Sequence, residues 1–517
     1  MGRVGKSKLK PMAKVIIFVL IVGVLWFALS KLNESGALKS IIPQNKGPVA
    51  TTASPIAGVK PINVGVVTWG GYAGGEYFNG GFQASTNSRY YKEYGILVNF
   101  VVLDDYTASR EAWKAGAVDL LWSTADSYCV ETPDMPYDPR IVFQADWSRG
   151  GDAIVVREGI DSVADLKGKT IAVAFGTPSE TFLLWLLDAA GMNSSDVKIV
   201  EEASAVDAAK VFKAEKVDCA VVWSPDDADC VNTVKGSKVL KSSRDAAHII
   251  ADVFYAKEEW ATAHKADLTK LIEGWLKGAG EINTSTEAKN EAAKILSAGL
   301  NEDVPTCLQA INNTRLVTYG DNVNFFDLHK NFNGVTGETL YSKMSDIYTS
   351  IGLIKKPVPV WRNVIDVSAL RDVNLEGVSG QDAEGEKVFT AVNSETGKNL
   401  KAFASKPVSI SFESGSATLS DEAKHVIRTT FVPDAQMFSG SRIRVIGNTD
   451  NTGDPSYNRV LSFQRAQAAI DYMVSQYGFN RNRFIAIGNG PDKPVADNDS
   501  EEGRAKNRRT DFQLLNK

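Results

Sequence analysis

The stretch that decides the fold of the C-terminal region is residues 443–466, IRVIGNTDNTGDPSYNRVLSFQRA. It opens with an apolar strand that Asp450 closes. Asp454 followed by Pro455 is the N-cap and first-turn pair that begins a helix. Arg465 lies on that helix, opposite a face that is predicted to be apolar and to comprise Phe463, Ile470 and Val474. The stretch therefore predicts a strand, a turn and a helix that carry one carboxylate and one guanidinium.

The charges of Asp450 and Arg465 allow two interpretations. A carboxylate at a strand end and a guanidinium on a helix face can grip a zwitterion, each taking the opposite charge of the ligand. In the simpler alternative the two side chains form a salt bridge with each other on the protein surface. These two residues by themselves leave both interpretations open.

Further motifs surround this stretch in a fixed order: Ile410-Ser411-Phe412, Ser416–Leu419, Tyr457-Asn458, Leu461–Ala466, Gly488-Asn489-Gly490 and Asn507-Arg508-Arg509. Together they resemble the OmpA-like peptidoglycan-binding domain, an α+β sandwich, which we place at residues 408–517. The resemblance implies that the ligand is the diaminopimelate of the peptidoglycan stem peptide, with its ammonium on Asp450 and its carboxylate on Arg465. It also implies that Asn458, Leu461 and Arg509 line the site. Asn448 stands where many relatives carry histidine.

Residues 61–372 alternate short β-rich runs with helical stretches. The β-rich runs are 62–67, 97–102, 153–156, 170–173, 197–200 and 219–222, and amphipathic helices are predicted at 268–282 and 288–298. This alternation indicates parallel α/β sheets. Two such series, with the chain passing between them more than once, predict a hinged pair of lobes. Polar segments at 31–60 and 373–407 are interpreted as linkers on either side.

The same region contains motifs of a second family. They are Thr68-Trp69-Gly70-Gly71, Asp119–Thr124, Asp146-Trp147-Ser148 followed by Gly150-Gly151-Asp152, Ser162–Val173 and Val217–Trp223. In this order they resemble the periplasmic substrate-binding proteins of the aliphatic-sulfonate, taurine and nitrate type. The resemblance implies that a small ligand closes the two lobes, and that the closed form meets an ABC permease or a signalling partner.

Candidate solute contacts cluster at predicted strand ends, where open α/β sheets place their ligands. Thr177 and Ser179 open a helix whose free N–H groups favour an anion, although Glu180 in the same turn would repel one. Tryptophans at strand ends supply aromatic walls, and Asp226 can meet an ammonium group. The predicted set is Trp69, Gly70, Trp122, Ser123, Trp147, Thr177, Ser179, Trp223 and Asp226. It suits a small anion or zwitterion, while packing between the lobes is the alternative role for each tryptophan.

The N-terminus carries an uncharged apolar run, residues 15–30, behind a lysine-rich segment at 1–14. The basic flank keeps the N-terminus in the cytoplasm by the positive-inside rule, so a retained helix would anchor the chain in the inner membrane by a single pass. The bulk of the chain would then lie in the periplasm. A cleaved signal peptide ending near Ala28-Leu29-Ser30 is the alternative.

Composition limits the classes of function. The net charge of −5 gives no support to nucleic-acid binding, and four histidines and four cysteines match no zinc spacing. Cys219 and Cys230 are near enough in sequence for a disulfide, with buried free thiols as the alternative. Because no catalytic or phosphate-loop motif occurs, we expect a binding protein that is not an enzyme and needs no cofactor. A structural tether between inner membrane and cell wall, with lobes that bind nothing, is the competing hypothesis.

Overall fold

The computed structural model describes residues 56, 58–131, 135, 138–329, 332–385, 387–410, 412–413 and 415–515. The membrane-spanning helix predicted at 15–30 and most of the linker predicted at 31–60 lie outside these residues. Among the helices of the described part, none combines the length and apolar character that crossing a bilayer requires.

The first lobe is built from fully or largely buried strands with helices between them. Its elements are, in chain order, β1 (Ile62–Val66), α1 (Ala73–Asn79), α2 (Arg89–Tyr94), β2 (Val98–Val102), α3 (Tyr106–Lys114), β3 (Leu120–Thr124), α4 (Tyr128–Glu131) and β4 (Pro139–Ser148). Every residue of β1 and β3 is buried. Strands covered on both faces are expected to be mainly apolar, and these two include Asn63, Ser123 and Thr124 as their buried polar residues.

The second lobe follows without interruption. Its elements are β5 (Asp152–Val156), β6 (Thr170–Ala174), α5 (Pro178–Ala189), β7 (Lys198–Glu202), α6 (Ala205–Lys213), β8 (Cys219–Trp223), α7 (Asp226–Thr233) and β9 (Lys238–Ser242). Helix α5 begins where the sequence signals place it, because Thr177 caps its N-terminus and Pro178 occupies the first turn.

The chain then returns to the first lobe. The returning elements are β10 (Ala251–Lys257), α8 (Glu258–Ala263), α9 (Lys265–Thr284), α10 (Thr286–Leu300), α11 (Val304–Asn312), β11 (Thr314–Leu316), α12 (Tyr319–Phe325), α13 (Gly337–Ser350) and α14 (Ser368–Arg371). The amphipathic helices predicted at 268–282 and 288–298 correspond to α9 and α10.

Both sheets are mixed, so the expectation of parallel sheets is wrong. The first sheet has the order β11-β4-β10-β3-β1-β2 and the second β7-β6-β8-β5-β9. In the first, β1, β2 and β3 are parallel while β10 runs antiparallel to β3 and β4; in the second, β5 runs antiparallel to β8 and β9. The antiparallel strands β5 and β10 are the ones that enter each lobe directly from the other.

Two crossings therefore form the hinge, at residues 149–151 and 243–250. Ser243 ties them together, since its Oγ lies 2.8 Å from Ser148 Oγ and accepts a 2.7 Å hydrogen bond from the Gly150 amide. Gly151 sits under the indole of Trp69, where a Cβ would come within 1.9 Å of the ring.

The C-terminal domain is a four-stranded sheet with helices on both faces. Its elements are α15 (Ser394–Lys398), β12 (Ala402–Val408), α16 (Asp421–Val426), α17 (Val432–Met437), β13 (Arg442–Asn448), α18 (Pro455–Tyr477), β14 (Phe484–Gly490), α19 (Glu501–Asn507) and β15 (Thr510–Leu515), with strand order β12-β15-β13-β14. The sheet thus begins inside the linker predicted at 373–407, because β12 pairs with β15.

The buried face of α18 differs from the predicted one. Phe463 is 40% exposed, while Leu461, Ser462 and Ala466 are buried. The reason lies in the strands below, since a Cβ on Gly447 would lie 2.0 Å from the Ser462 carbonyl oxygen. The glycine lets the helix backbone approach the sheet directly and turns Phe463 outward.

The C-terminal domain packs against the second lobe within one compact unit. Lys406 on β12 lies 3.1 Å from the carboxylates of both Asp188 on α5 and Asp434 on α17, and Lys343 on α13 also pairs with Asp188. At the hinge, His248 Nδ1 lies 2.9 Å from Ser439 Oγ. The four cysteines are buried free thiols, so the structure has no Cys219–Cys230 disulfide.

Candidate functional site

Asp450 follows β13 and is fixed by its own turn. Its Oδ1 accepts a 2.9 Å hydrogen bond from the Thr452 amide, and its Oδ2 accepts one of 2.8 Å from Arg508. The side chain of Asn458 holds the same turn by donating to the Thr452 carbonyl at 2.8 Å. Although burial acts in the opposite direction, these bonds hold the pKa of Asp450 below its ordinary value. Asp450 is therefore an ionised, oriented acceptor at neutral pH.

Arg465 approaches from α18 and is held by the backbone. Its Nε donates to the Ser416 carbonyl at 3.0 Å and one Nη to the Glu413 carbonyl at 3.2 Å, with the guanidinium over the Phe412 ring at 4.8 Å. These contacts fix the plane of the guanidinium. Its other Nη donates to no described residue, which leaves one arm of the fork for a ligand.

An open cavity of about 770 Å³ lies between these two charges. All five residues predicted to bind peptidoglycan line it, namely Asp450, Arg465, Asn458, Leu461 and Arg509. Asp450 and Arg465 make no salt bridge with each other, because Asp450 pairs with Arg508 instead. The two charges are thus held apart across the cavity, and the alternative of a salt bridge between Asp450 and Arg465 is wrong.

Arg509 and Asn448 belong to a buried network behind the cavity. Arg509 forms a two-pronged pair with Asp511 at 3.0 and 3.1 Å, and Asn448 donates to the same carboxylate at 3.0 Å. The side-chain amide of Asn448 thus donates a hydrogen bond to Asp511. Arg508 was not predicted to bind, although the motif Asn507-Arg508-Arg509 contained it. Its contact with Asp450 spans 58 residues of sequence, which no local pattern reveals.

The predicted solute residues lie in several different surroundings. Trp69 donates through Nε1 to Asp146 Oδ2 at 3.2 Å, and Trp223 is the strand neighbour of Asp152. Gly70 packs against the backbone of α11, where a Cβ would lie 2.3 Å from Ala310. Asp226 is half-buried in the first turn of α7.

Three further predicted residues pack elsewhere in the first lobe. Trp122 lies under the guanidinium of Arg110 at 4.7 Å, and Ser123 donates to Glu131 at 2.6 Å. Glu131 and Arg110 form a buried ion pair. Trp147 is edge-on to His248 and Phe325 in the core. Packing is therefore the observed contact of Trp122 and Trp147.

The polar groups at the start of α5 form hydrogen bonds with neighbouring residues of the same segment. The Thr177 hydroxyl donates to the Ala174 carbonyl at 2.8 Å and accepts from the Ser179 amide at 3.3 Å. Glu180 accepts a 2.8 Å hydrogen bond from the Gly176 amide and is itself buried. The Thr177 hydroxyl and the Ser179 amide thus form the helix cap with a carboxylate beside them, while the Ser179 hydroxyl is buried without a hydrogen-bond partner among the described residues.

Four buried aspartates at the hinge edge of the two lobes were missed. Asp126 follows β3, Asp146 lies near the end of β4, Asp152 begins β5 and Asp252 lies at the start of β10. Burial raises the pKa of Asp146 to about 8 and those of Asp126 and Asp152 to about 7. Burial, reinforced by the charge of Asp146, also raises the pKa of Asp252. The available signal was an acid inside an apolar run, as in Ile249–Phe254.

Two family models match the chain. The NMT1/THI5 like family matches residues 80–287, and the OmpA family matches residues 411–508. The first range lies in the two-lobed domain and the second covers most of the C-terminal domain.

Known proteins resemble separate parts of the chain. Outer membrane porin F of Pseudomonas aeruginosa is 40% identical over 79 residues, which are 15% of this chain and 23% of the porin. Peptidoglycan-binding protein ArfA of Mycobacterium tuberculosis is 42% identical over 72 residues, 14% of this chain and 22% of that protein. The chain thus spans about a quarter of the length of these two relatives.

Among solved structures, the periplasmic aliphatic sulphonate binding protein SsuA from Escherichia coli is 18% identical with a TM-score of 0.48, covering 64% of this chain and 96% of SsuA. The two family matches confirm the resemblances predicted from the sequence. The chain thus contains a segment that matches the NMT1/THI5 like family, followed by a C-terminal segment that matches the OmpA family.

Proposed function

We propose that this protein binds the cell wall through its C-terminal domain and a small solute through its two-lobed domain. It is a binding protein and has no catalytic role. The observation that carries the proposal is the cavity of about 770 Å³, which places a fixed carboxylate and a fixed guanidinium on one open space.

The ligand that fits this cavity carries both charges. The ammonium of diaminopimelate would add to Asp450, whose carboxylate accepts up to four hydrogen bonds and here receives two from the chain. The carboxylate of the same amino-acid centre would take the free Nη of Arg465. Asn458 keeps the Asp450 turn in place, Leu461 forms an apolar wall, and Arg509 supports the rear of the cavity.

The envelope location follows from the same proposal. Peptidoglycan-binding protein ArfA bears in its name the ligand proposed here, and it matches the C-terminal part of the chain. The apolar run 15–30 would anchor the chain in the inner membrane, with the bulk of the protein in the periplasm. The two-lobed domain would present its solute to an ABC permease or a signalling partner. A tether with empty lobes is the competing proposal.

Sedimentation of the full chain with purified sacculi tests wall binding. We expect Asp450→Ala and Arg465→Ala together to leave the protein in the supernatant. A matched control is Asp492→Asn, which breaks the exposed Arg459–Asp492 pair of the same domain and does not line the cavity. If the double variant sediments like the wild type while the control is normal, the assignment is wrong.

Competition with free amino acids tests the role of each charge. Diaminopimelate and lysine share one amino-acid centre and a second amine, and they differ only by the carboxylate that diaminopimelate carries on its second amine-bearing carbon. Free glutarate, which has carboxylates but no ammonium, should not displace the protein from sacculi, and cadaverine, which has ammoniums but no carboxylate, should fail as well. Displacement by diaminopimelate that is equal in the wild type and in Arg465→Ala would contradict the assigned role of the guanidinium.

A further inference from the structure

Four buried aspartates gather where the two lobes meet, and we call Asp126, Asp146, Asp152 and Asp252 the interlobe cluster. Asp146 and Asp252 are direct partners on the neighbouring strands β4 and β10. The carboxyl ends of β3 and β4 and the start of β10 lie at the same edge of the first sheet, since β10 runs antiparallel to both. Asp152 stands just across the first hinge crossing and acts electrostatically on Asp146 and Asp252.

Each member of the cluster has some donor from the chain, but the donors do not suffice. Tyr72 donates to Asp252 Oδ2 at 2.7 Å, and Ser148 donates to Asp152 Oδ2 at 2.7 Å. Trp69 donates to one oxygen of Asp146. Among the described residues, Asp146 Oδ1 and Asp126 Oδ2 have no hydrogen-bond partner of ordinary geometry, although the Thr181 and Thr124 hydroxyls act on Asp126. Unpaired buried acceptors are uncommon in folded proteins, so these two require an explanation.

Gln144, two residues before Asp146, also has a buried side-chain oxygen that lacks a hydrogen-bond donor among the described residues. Its side chain is fully buried, and its Nε2 donates to the Asp146 carbonyl at 3.2 Å. Its Oε1 has no hydrogen-bond partner. The amide thus lies against Asp146 with an acceptor left over. Asp146 Oδ1, Asp126 Oδ2 and Gln144 Oε1 are thus three buried acceptors that a group with several hydrogen-bond donors could satisfy.

The cluster also lacks a positive charge. None of its four carboxylates forms an ion pair with a described lysine, arginine or histidine, and the charges that act on Asp252 are those of Asp146, Asp152 and Asp126. Burial raises the pKa of each member for this reason. The nearby start of α5 adds a buried carboxylate, Glu180, rather than a cation.

An ammonium group meets both needs, because it carries one positive charge and three N–H donors and no acceptor. Two indoles stand beside the cluster, one from each lobe. Trp69 bonds Asp146, and the Trp223 N–H acts on Asp152 without a hydrogen bond of ordinary geometry. Each indole presents its N–H edge to a carboxyl group of the cluster.

We propose that the interlobe cluster binds the ammonium group of a small organic ligand, with Trp69 and Trp223 beside it. This inference rests on the proposal that the two-lobed domain binds a solute, and it names the solute's chemistry. It places the charged end of the ligand at the hinge, where Ser148 and Ser243 join the two crossings. A ligand bound there would touch both lobes and so favour their closed arrangement.

Titration calorimetry of the full chain with matched probes tests this. Taurine and ethanesulfonate differ by the ammonium group, as do ethanolamine and ethylene glycol, and nitrate and calcium chloride complete the panel. We expect an amine of the panel to bind and its ammonium-free analogue to bind at least about 30-fold more weakly, the scale of removing one partner of a buried charge pair.

Variants connect that binding to the cluster. We expect Asp146→Asn and Asp252→Asn, which keep the shape of the side chain, each to weaken amine binding by about 30-fold or more. Glu111→Gln, an exposed acid of the first lobe paired with Lys114, should leave it unchanged. Thermal unfolding of each variant verifies that it is folded.

Three outcomes would overturn the inference. Ethanesulfonate, nitrate or calcium binding in preference to the amines would do so while leaving a solute-binding function intact. Amine binding that is unchanged in both aspartate variants would do the same. Silence across the panel would overturn it together with the solute-binding half of the proposed function, whereas sacculus sedimentation reports separately on the wall-binding half.

Discussion

The wall-binding cavity and the interlobe cluster use carboxylates in opposite ways. In the cavity Asp450 is paired with Arg508, and the held-apart guanidinium of Arg465 lies on open space. In the cluster, four buried carboxylates face one another with no described cation among them. A paired, oriented charge at a surface is ready for a ligand that brings both signs. Buried carboxyl groups that lack a cation indicate instead that the ligand must be positively charged and must donate hydrogen bonds.

The largest expected effect sharpens the first half of this comparison. Asp450→Asn removes the negative charge of the cavity and keeps its shape. We expect sacculus binding to weaken by about 100-fold, because the ligand ammonium then lies in the site without a counter-charge. The free energy of unfolding should change by about 1 kcal/mol or less, since the Asp450–Arg508 pair is partly exposed to solvent.

Sedimentation over a range of sacculus concentrations and urea unfolding measure these two quantities. Asp492→Asn again serves as control. A large loss of stability in Asp450→Asn, with wall binding reduced only in proportion to unfolded protein, would show that the charge is structural.

The next effect is a gain rather than a loss, and it concerns the stability of the interlobe cluster. Burial raises the pKa of Asp146 to about 8, so the empty folded protein is penalised for ionising it. A folded-state pKa above the unfolded value gives stability that is full below about pH 4 and is lost as the pH rises towards 8. Asp146→Asn should therefore raise the unfolding free energy at pH 8 by ~2 kcal/mol or more, since one pKa unit corresponds to about 1.4 kcal/mol.

The gain should shrink as the pH falls and disappear near pH 3, where Asp146 is protonated in both the folded and the unfolded wild type. Urea unfolding at both pH values, without added ligand, measures it, and Glu111→Gln is the control. A loss of stability in Asp146→Asn at pH 8 would contradict the view that this carboxylate is uncompensated.

These two sites also differ in what the sequence predicts. Residues 443–466 contain the strand end, the cap and the helix of the cavity, so four of its five predicted residues lie in one local stretch. The family resemblance implies their roles and adds the fifth residue, Arg509. The interlobe cluster comes from four separate strands, and only the register of β4 against β10 brings Asp146 opposite Asp252. Sequence patterns do not encode such register between distant strands.

The same distinction explains smaller errors. The six strands and two helices of the lobes for which bounds were predicted begin and end within a few residues of those bounds, because local apolar patterns and caps determine them. The exposed Phe463 was assigned to the core because the approach of α18 depends on Gly447, on a different element. The antiparallel course of β5 and β10 depends likewise on how the chain crosses between lobes.

A third prediction concerns the aromatic wall of the interlobe cluster. In Gly151→Ala the new Cβ would lie 1.9 Å from the Trp69 ring, so the indole must move away from Asp146. We expect a loss of about 1–2 kcal/mol in unfolding free energy, from displaced packing and one weakened hydrogen bond. Tryptophan emission should shift as well. Gly385→Ala, which has open space around the added Cβ, is the matched control and should change neither.

The smallest effect joins the hinge to the segment that precedes the C-terminal domain. Glu384 accepts hydrogen bonds from Arg149 at 2.9 and 2.6 Å and lies 3.5 Å from His248, whose other ring nitrogen lies 2.9 Å from Ser439. Burial opposes ionisation, but His248 and Arg149 hold the pKa of Glu384 below its ordinary value. A depressed folded-state pKa gives stability that is present above about pH 4.3 and is lost as the pH falls further.

The free energy of unfolding therefore falls towards acid pH because of Glu384 and towards alkaline pH because of Asp146. Between them the two groups set the pH range of highest stability. Because more than a third of the Glu384 side chain is exposed, solvent screens the pair, and we expect Glu384→Gln to cost about 1 kcal/mol or less at pH 7. The difference from wild type should shrink steadily as the pH falls below about 4.3, whereas Glu376→Gln, an exposed acid in the same segment, should show none at any of these pH values. A Glu384→Gln penalty that is the same at pH 3 as at pH 7 would mean that the contact with the hinge depends on packing rather than on charge, and the acid limb would then have to come from other groups such as Asp188 beside Lys406.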